Sequence, residues 1–507
     1  MSPDVNPTAF GPCPSPFNLA AHVLAKADSL GNKVALSLVS SEGKIDWTYG
    51  ALQAAVRGIA SGLTRAGFCP GDILLMRLGN TVDFPLCYLG ALAAGMVPVP
   101  TSAALTVGEV SKIISDVRPR AILRDVDVSC PRFENIVTVP DLQAMWALPP
   151  ADWHMGDADR LGYIIYTSGT SGKPTAVLHA HRAIWARQMM FEGWYGLRQS
   201  DCVLHAGAFN WTYTLGTGLM DPWTMGASAL IPVPGTKVQE IPALLAQHKA
   251  TLFAAAPGVY RQILAAAPAR VDLPHLRHGL SAGEKMSPAI KTAWHAATDT
   301  TVYEAFGMSE CSTFISASPA NPANGPAIGQ PQPGRRVAIL GDDGPLPTGM
   351  PGTIAIHRDD PGLMLGYLGA PDQTAARYLG DWFSTGNQGV MDDAGQITYL
   401  GRIDDMMNAG GFRVSPLEVE AALADAPGVD SIGVCQVEMK PDVFVIAGFY
   451  TAATPLDEDA LHLYAQTKLA RYKQPRLYVH LPVLPCGANG KLLRRSLRAA
   501  YEAQDHA

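Results

Sequence analysis

Residues 161–174 read Leu-Gly-Tyr-Ile-Ile-Tyr-Thr-Ser-Gly-Thr-Ser-Gly-Lys-Pro. The first six form an apolar run with β-branched and aromatic members, which predicts a buried strand. The composition then changes abruptly. Thr167, Ser168, Gly169, Thr170, Ser171, Gly172 and Lys173 place four hydroxyls, two glycines and one lysine in seven residues. Glycine lets backbone N–H groups approach an anion closely, and hydroxyls and a lysine add donors. A strand ending in such a loop belongs to an α/β architecture and is a candidate polyphosphate cradle. It is not a Walker A loop, which needs Gly at 167 and Ser or Thr at 174, where this chain has Thr and Pro. A solvent-exposed Ser/Gly turn has the same composition, so the loop alone leaves both readings open.

Outward from this loop, helical patterns alternate with apolar runs. The spacing predicts helices over 51–66 and 84–94 and strands over 72–76 and 96–100. The alternation continues through apolar runs at 161–166, 203–205, 227–232, 251–255 and 301–306. Such alternation implies βαβ units and mostly parallel sheet. Residues 334–399 differ: short strands broken by Gly, Pro and Asp turns predict an antiparallel piece. A boundary falls near Arg402. Beyond it, Ser415-Pro416-Leu417-Glu418 has Ser at N-cap, Pro at N1 and Glu at N3, a capping box. The fold class is therefore α/β. Residues 1–402 are expected to form a large domain of mixed, mostly parallel sheets with helices and a small antiparallel β part. Residues 403–507 are expected to form a small α+β domain.

Composition narrows the function. Of 507 residues, 48% are apolar and only 16% charged, against about 25% charged in ordinary soluble domains, which excludes a disordered chain. Lys plus Arg is 38 and Asp plus Glu is 45, a net charge of −7. Nothing in that balance attracts nucleic acid or anionic membrane, so an anionic ligand needs a local site. The most apolar stretch, 84–100, is broken by Pro and Gly and is too short for a membrane span. The eight cysteines are scattered without a C-x-x-C pair, which indicates neither a zinc site nor a disulfide framework. Met-Ser-Pro-Asp-Val-Asn-Pro-Thr carries no basic region and no apolar run, so no signal peptide is expected and the cytoplasm is the expected location.

Further segments follow in order. Phe306-Gly307-Met308-Ser309-Glu310 continues the run Thr-Val-Tyr-Glu-Ala. Trp382-Phe383-Ser384-Thr385-Gly386-Asn387 precedes an Asp-Asp-Ala-Gly turn. Gly401-Arg402-Ile403-Asp404-Asp405, Gly410-Gly411-Phe412-Arg413 and Asn489-Gly490-Lys491-Leu492 come next. In this order and spacing the chain resembles the adenylate-forming superfamily of acyl-CoA synthetases, adenylation domains and luciferases, from about residue 20 to 500. Residues 211–229 together with Ser281-Ala282-Gly283-Glu284 resemble the medium-chain and benzoate-type CoA ligases.

The resemblance implies an AMP-forming acid:CoA ligase that uses ATP, Mg²⁺ and coenzyme A on a small carboxylic acid. Thr167 to Lys173 would hold the β- and γ-phosphates. Phe306 would stack on adenine, with Gly283 and Glu284 at its border. Ser309 would bind the α-phosphate and Glu310 would hold Mg²⁺. Asn387 and Arg402 would face the ribose. Asp404 would be the hinge, Gly410, Gly411 and Arg413 would serve coenzyme A, and Lys491 would bridge carboxylate and α-phosphate during adenylation. The chemistry fits these residue types. A carboxylate attacking ATP brings two anions together, so the barrier is largely electrostatic and needs cations and donors in fixed places. A mobile C-terminal domain would deliver Lys491 in one pose and the Gly410-Gly411 face in another.

Acetate-specific relatives fill the place of Gly307 with a bulky aromatic, so the resemblance implies a deeper acyl pocket, walled by Trp211 and Tyr213, for a medium-chain or aromatic acid. Trp211 and Tyr213 also suit plain half-buried packing. His179-Ala180-His181 has the look of a metal pair but lacks an acidic third ligand. Four positions depart from the family pattern: Thr175 replaces a lysine, Asn387 an aspartate and Asn408 a lysine, and the loop near 438–442 is short. Asn387 keeps one acceptor but loses the charge, which is expected to weaken ribose binding. Two competing readings remain: a stand-alone adenylation enzyme serving a carrier protein, and a degenerate nucleotide or acyl-CoA sensor. Nothing in the sequence fixes an oligomeric state.

Overall fold

The computed structural model describes residues 10–167, 175–266, 270–409, 412–440, 443–487 and 492–504. Two compact units emerge. One comprises residues 3–336 with 356–383, the other 337–355 with 384–507 and the first two residues.

The first unit is built on three sheets. The largest has nine strands. Its centre is parallel and runs Thr301–Met308, His278–Ala282, Leu252–Ala255, Cys202–His205, Ser228–Pro232 and Val34–Ser40. Antiparallel strands close both margins, Gly43–Thr48 on one side and Ser312–Ser316 with Gln330–Pro331 on the other. A second, all-parallel sheet orders Val97–Pro100, Ile73–Arg77, Ala121–Arg124 and Ile136–Thr138. Helix Asp83–Ala93 is apolar all round and every one of its residues is buried, as such a helix must be. Helix Tyr49–Arg65 shows one face to the core and its N-cap Thr48 accepts from Ala51 N–H.

The third sheet departs from the βαβ expectation. Leu161–Thr167 turns straight back and pairs antiparallel with Thr175–Ala180, which also pairs with Gly366–Tyr367. The link between Thr167 and Thr175 holds only seven residues, and a parallel crossover takes about a dozen.

Val337–Leu340, Gly352–His357, Trp382–Met391 and Ile397–Arg402, most of whose residues fall in the second unit, belong to the sheet read from the Gly/Pro/Asp turns. Farther on, Ser431–Lys440 and Val443–Thr451 form an antiparallel pair, with Leu477–His480 added in parallel. Helices Pro416–Leu423, Glu458–Lys468 and Arg494–Gln504 complete an α+β piece. Ser415 caps its helix by accepting from Glu418 N–H. The other half of the expected capping box is spent elsewhere: the Glu418 carboxylate accepts from Lys473 Nζ at 2.5 Å. No helix among the described residues is long and apolar enough to cross a membrane.

Candidate active site

Parallel register brings the first group of predicted residues together. Ala282 lies beside Ala305 in adjacent strands, so Gly283-Glu284, just past the carboxyl end of their strand, come beside Phe306-Gly307, near the carboxyl end of strand Thr301–Met308. That is where open α/β sheets bind ligands. Gly283 has φ +95°, and a Cβ there would lie 2.7 Å from Trp211 Cζ2, so the indole rests on the glycine. Trp211 meets Tyr213 edge-on at 5.1 Å. The two aromatics differ in surroundings. Tyr213 is buried, stacks on Trp194 at 5.7 Å and donates to the Leu280 carbonyl at 3.0 Å. Trp211 is only half-buried. They stand not on a strand but at the entry to a π-helical segment, Thr214–Met220.

After Met308 the chain reverses. Gly307 pairs with Thr313 and Met308 with Ser312 across a bulge. A Cβ at 307 would lie 2.3 Å from the Ser312 carbonyl oxygen, so the hairpin itself requires glycine there, independent of any acyl group. Phe306 meets Phe314 edge-on at 5.5 Å.

Ser309 and Glu310 occupy the turn, and both are anchored. The Ser309 carbonyl accepts from His179 Nε2 at 2.7 Å. Burial pushes the His179 imidazole down to about 4, so it is neutral at pH 7. His181 points elsewhere: its Nδ1 accepts from Leu19 N–H at 3.0 Å. The two histidines are thus separate structural anchors, and no cluster of three metal-ligating side chains occurs among the described residues. The Glu310 carbonyl accepts from Met364 N–H at 2.8 Å, and its Oε1 accepts from the Tyr367 hydroxyl at 2.7 Å. Burial, and then the charge of Glu310, push the Tyr367 phenol up, which keeps it a donor. Glu310 makes no ion pair among the described residues. A half-buried carboxylate of this kind suits Mg²⁺, which is commonly held by one or two carboxylates, substrate phosphates and water.

Thr167 lies opposite Thr175, while residues 168–173 fall outside the described residues. So do Gly410, Gly411 and Lys491. In the second unit Asn387 is paired with Arg402. Asn387 Nδ2 donates to the Thr385 carbonyl at 2.9 Å, and Oδ1 accepts from the Tyr399 hydroxyl at 3.2 Å. Arg402 Nη2 is 3.9 Å from Asp404 Oδ2, in the turn Ile403–Asp405. Arg413 is in strand Phe412–Val414, opposite Asn408.

Sequence reasoning missed Tyr367, and it missed Arg187 with Asp221. The two charges each interrupt an apolar stretch, Ala-Ile-Trp-Ala-Arg-Gln-Met-Met-Phe and Gly-Leu-Met-Asp-Pro-Trp. A lone charge in such a run is the available signal, because unpaired charges are almost never buried.

Known proteins are similar to this chain over most of its length. Benzoate–CoA ligase of Thauera aromatica is 28% identical over 486 residues, 90% of this chain and 91% of its own length. The mitochondrial acyl-coenzyme A synthetase ACSM2A of Homo sapiens is 27% identical over 525 residues, 96% of this chain and 91% of its own length. The crystal structure of a benzoate CoA ligase from Burkholderia xenovorans LB400 superposes with a TM-score of 0.84 at 25% identity, covering 95% of this chain and 100% of that one. Residues 24–368, well over half of the chain, match the AMP-binding enzyme model, and the protein belongs to that family.

Proposed function

We propose that this protein is an ATP-dependent, AMP-forming acid:CoA ligase acting on an aromatic or medium-chain carboxylic acid. The observation that carries the reading is the shared strand ends. Gly283-Glu284 and Phe306-Gly307 meet at the carboxyl ends of two adjacent strands, with Trp211 on one flank and the Ser309-Glu310 turn next along the chain. That arrangement sets a flat aromatic surface beside a hydroxyl and an anchored carboxylate, which suits an adenine, an α-phosphate and a Mg²⁺ ion.

In this reading Ser309 donates to the α-phosphate, Glu310 takes Mg²⁺ and residues 167–173 hold the outer phosphates. Mg²⁺, when bound, neutralises charge passing to the pyrophosphate. Trp211 flanks the acyl group, and Tyr213 fixes the wall behind it. Lys491 bridges the attacking carboxylate and the α-phosphate. Residues 403–507 are the moving part, with Asp404 as pivot, and Gly410-Gly411 face the thiol. Asn387 and Arg402 serve the ribose.

Pyrophosphate release with a panel of aromatic and medium-chain acids tests the reading. Acid-dependent release, followed by AMP and thioester on adding CoA, is expected. Release that continues only to a carrier protein would move the acceptor. No release with any acid would leave the sensor reading.

A further inference from the structure

Arg187 and Asp221 form an ion pair that no step above uses. Arg187 is 6% exposed and Asp221 0%. Arg187 Nε donates to Asp221 Oδ1 at 2.8 Å and Nη2 to Oδ2 at 2.6 Å. The Tyr195 hydroxyl donates to Asp221 Oδ2 at 2.7 Å and lies 2.8 Å from Thr217 Oγ1. The guanidinium lies against the π-helical segment so closely that a Cβ on Gly216 would be 2.3 Å from Arg187 Cζ. Burying two charges costs several kcal/mol each, and the pair adds little stability over an apolar replacement. What such a pair does well is hold a donor at a fixed point.

The held donor is Nη1. It reaches Ser312 Oγ at 2.5 Å. Ser312 has φ +64° and pairs with Met308, closing the turn that carries Ser309 and Glu310. A non-glycine residue in the left-handed region is strained and persists only when its surroundings hold it. Arg187, Ser309, Ser312 and His179 also line one small pocket of about 20 Å³, room for about one water molecule. Ser309 is thus gripped at its carbonyl by His179, and the far end of the turn is gripped by Arg187.

We propose that Arg187 is a positioning residue. Locked onto Asp221, it fixes Ser312 and so sets the direction in which Ser309 and Glu310 meet the triphosphate and its Mg²⁺. The inference rests on the ligase reading and adds to it a residue pair to which that reading gives no role.

Ser312→Ala removes the held hydroxyl and leaves the ion pair intact. Two readouts are taken on the full chain: Mn²⁺ affinity by electron paramagnetic resonance with a non-hydrolysable ATP analogue, and steady-state pyrophosphate release with benzoate. Loss of a charge-assisted bond should weaken Mn²⁺ binding about five- to tenfold and lower kcat about tenfold, with the KM for benzoate unchanged. Arg187→Lys should show the same split, because one ammonium cannot reproduce a planar fork spanning Asp221 and Ser312. Tyr195→Phe cuts bonds to Asp221 and to Arg187 Nη2 but leaves the two-point ion pair and Nη1 in place, and should keep wild-type Mn²⁺ affinity. Wild-type Mn²⁺ binding in Ser312→Ala, or an equal loss in Tyr195→Phe, would overturn the positioning role alone. A wild-type protein that binds no nucleotide analogue would overturn the ligase reading and this inference with it.

Discussion

The turn carrying Ser309 and Glu310 and the strand pair carrying Asn387 and Arg402 are held in opposite ways. The turn is gripped by buried partners: His179 on the Ser309 carbonyl, Tyr367 on the Glu310 carboxylate, Arg187 on Ser312 and Arg335 on the Thr313 carbonyl. Arg335 is itself paired with Asp360, and neither is more than 6% exposed. Around Arg402 the contacts are light. Its ion pair with Asp404 spans 3.9 Å, and the Asp404 side chain is 61% exposed. Exposed pairs of this kind are worth about 0–1 kcal/mol. The contrast separates two requirements. Groups that stabilise moving charge work best when desolvated and preorganised. A segment that must change pose needs contacts that break at little cost.

If that division is right, the largest effect comes from removing the lysine that only one pose delivers. Lys491→Ala should lower acid-dependent pyrophosphate release by about 10²–10³, the loss typical of one preorganised charge. Thioester formation from pre-made acyl-adenylate and CoA should survive. An equal fall in both half-reactions would erase the division of labour.

Asp404→Pro probes the lightly held region. Proline fixes φ near −65° and removes an N–H, while the exposed ion pair lost with it costs little stability. Adenylate should still form, and transfer to CoA should fall by about two orders of magnitude if rotation at 404 is required. Transfer at the wild-type rate would place the pivot elsewhere.

Tyr367→Phe probes the tightly held region. It deletes the hydroxyl that donates to Glu310 Oε1 and keeps the ring. A hydrogen bond to a charged group is worth about 1.5–3 kcal/mol, so the Mg²⁺ concentration needed for half-maximal pyrophosphate release should rise about tenfold. An unchanged Mg²⁺ requirement would mean that Glu310 needs no orienting.

Much of this arrangement was legible in the sequence, and the failures have physical causes. The strand over 301–306 and the helices over 51–66 and 84–94 stand within a residue or two of where apolar periodicity puts them, because those segments are decided by burial. The partner of Leu161–Thr167 was misread. A buried strand carries the same pattern in parallel and antiparallel sheets, and only the seven-residue link settles the direction. His179 and His181 show a metal-like spacing, yet spacing says nothing of Ser309 and Leu19, each of which occupies one nitrogen of its histidine. Arg187 and Asp221 are 34 residues apart, and no local rule pairs them. Gly283, Phe306 and Trp211 were read as site residues from motifs and now share one corner of the unit.

The smallest expected effect sharpens the comparison most, because it reverses what the sequence suggests. Read alone, Asn387 is a weakened aspartate, and restoring the acid should tighten ATP. The strand pair changes that balance. Nδ2 donates to the Thr385 carbonyl while Oδ1 accepts from Tyr399. An aspartate could keep the Tyr399 bond and strengthen it. Its second oxygen, however, would face a carbonyl, two acceptors with no proton between them. Replacing a donor by an acceptor in a half-buried bond costs about 1–3 kcal/mol, comparable to the roughly 0.5–2 kcal/mol that a charged ribose contact would add. The local bond is made whether or not nucleotide is present, so its loss bends the side chain out of place before the ribose arrives. Asn387→Asp should therefore raise the KM for ATP about two- to fivefold at saturating acid and CoA, and lower the thermal midpoint slightly. Adding Thr175→Lys, which restores a positive charge beside the phosphate loop, should lower the KM by the same factor in the wild-type and Asn387→Asp backgrounds, since independent sites add. A lower KM in Asn387→Asp alone would show that the ribose contact outweighs the strand's own bond. Asn387 would then be a loss of affinity rather than a residue fitted to its neighbours.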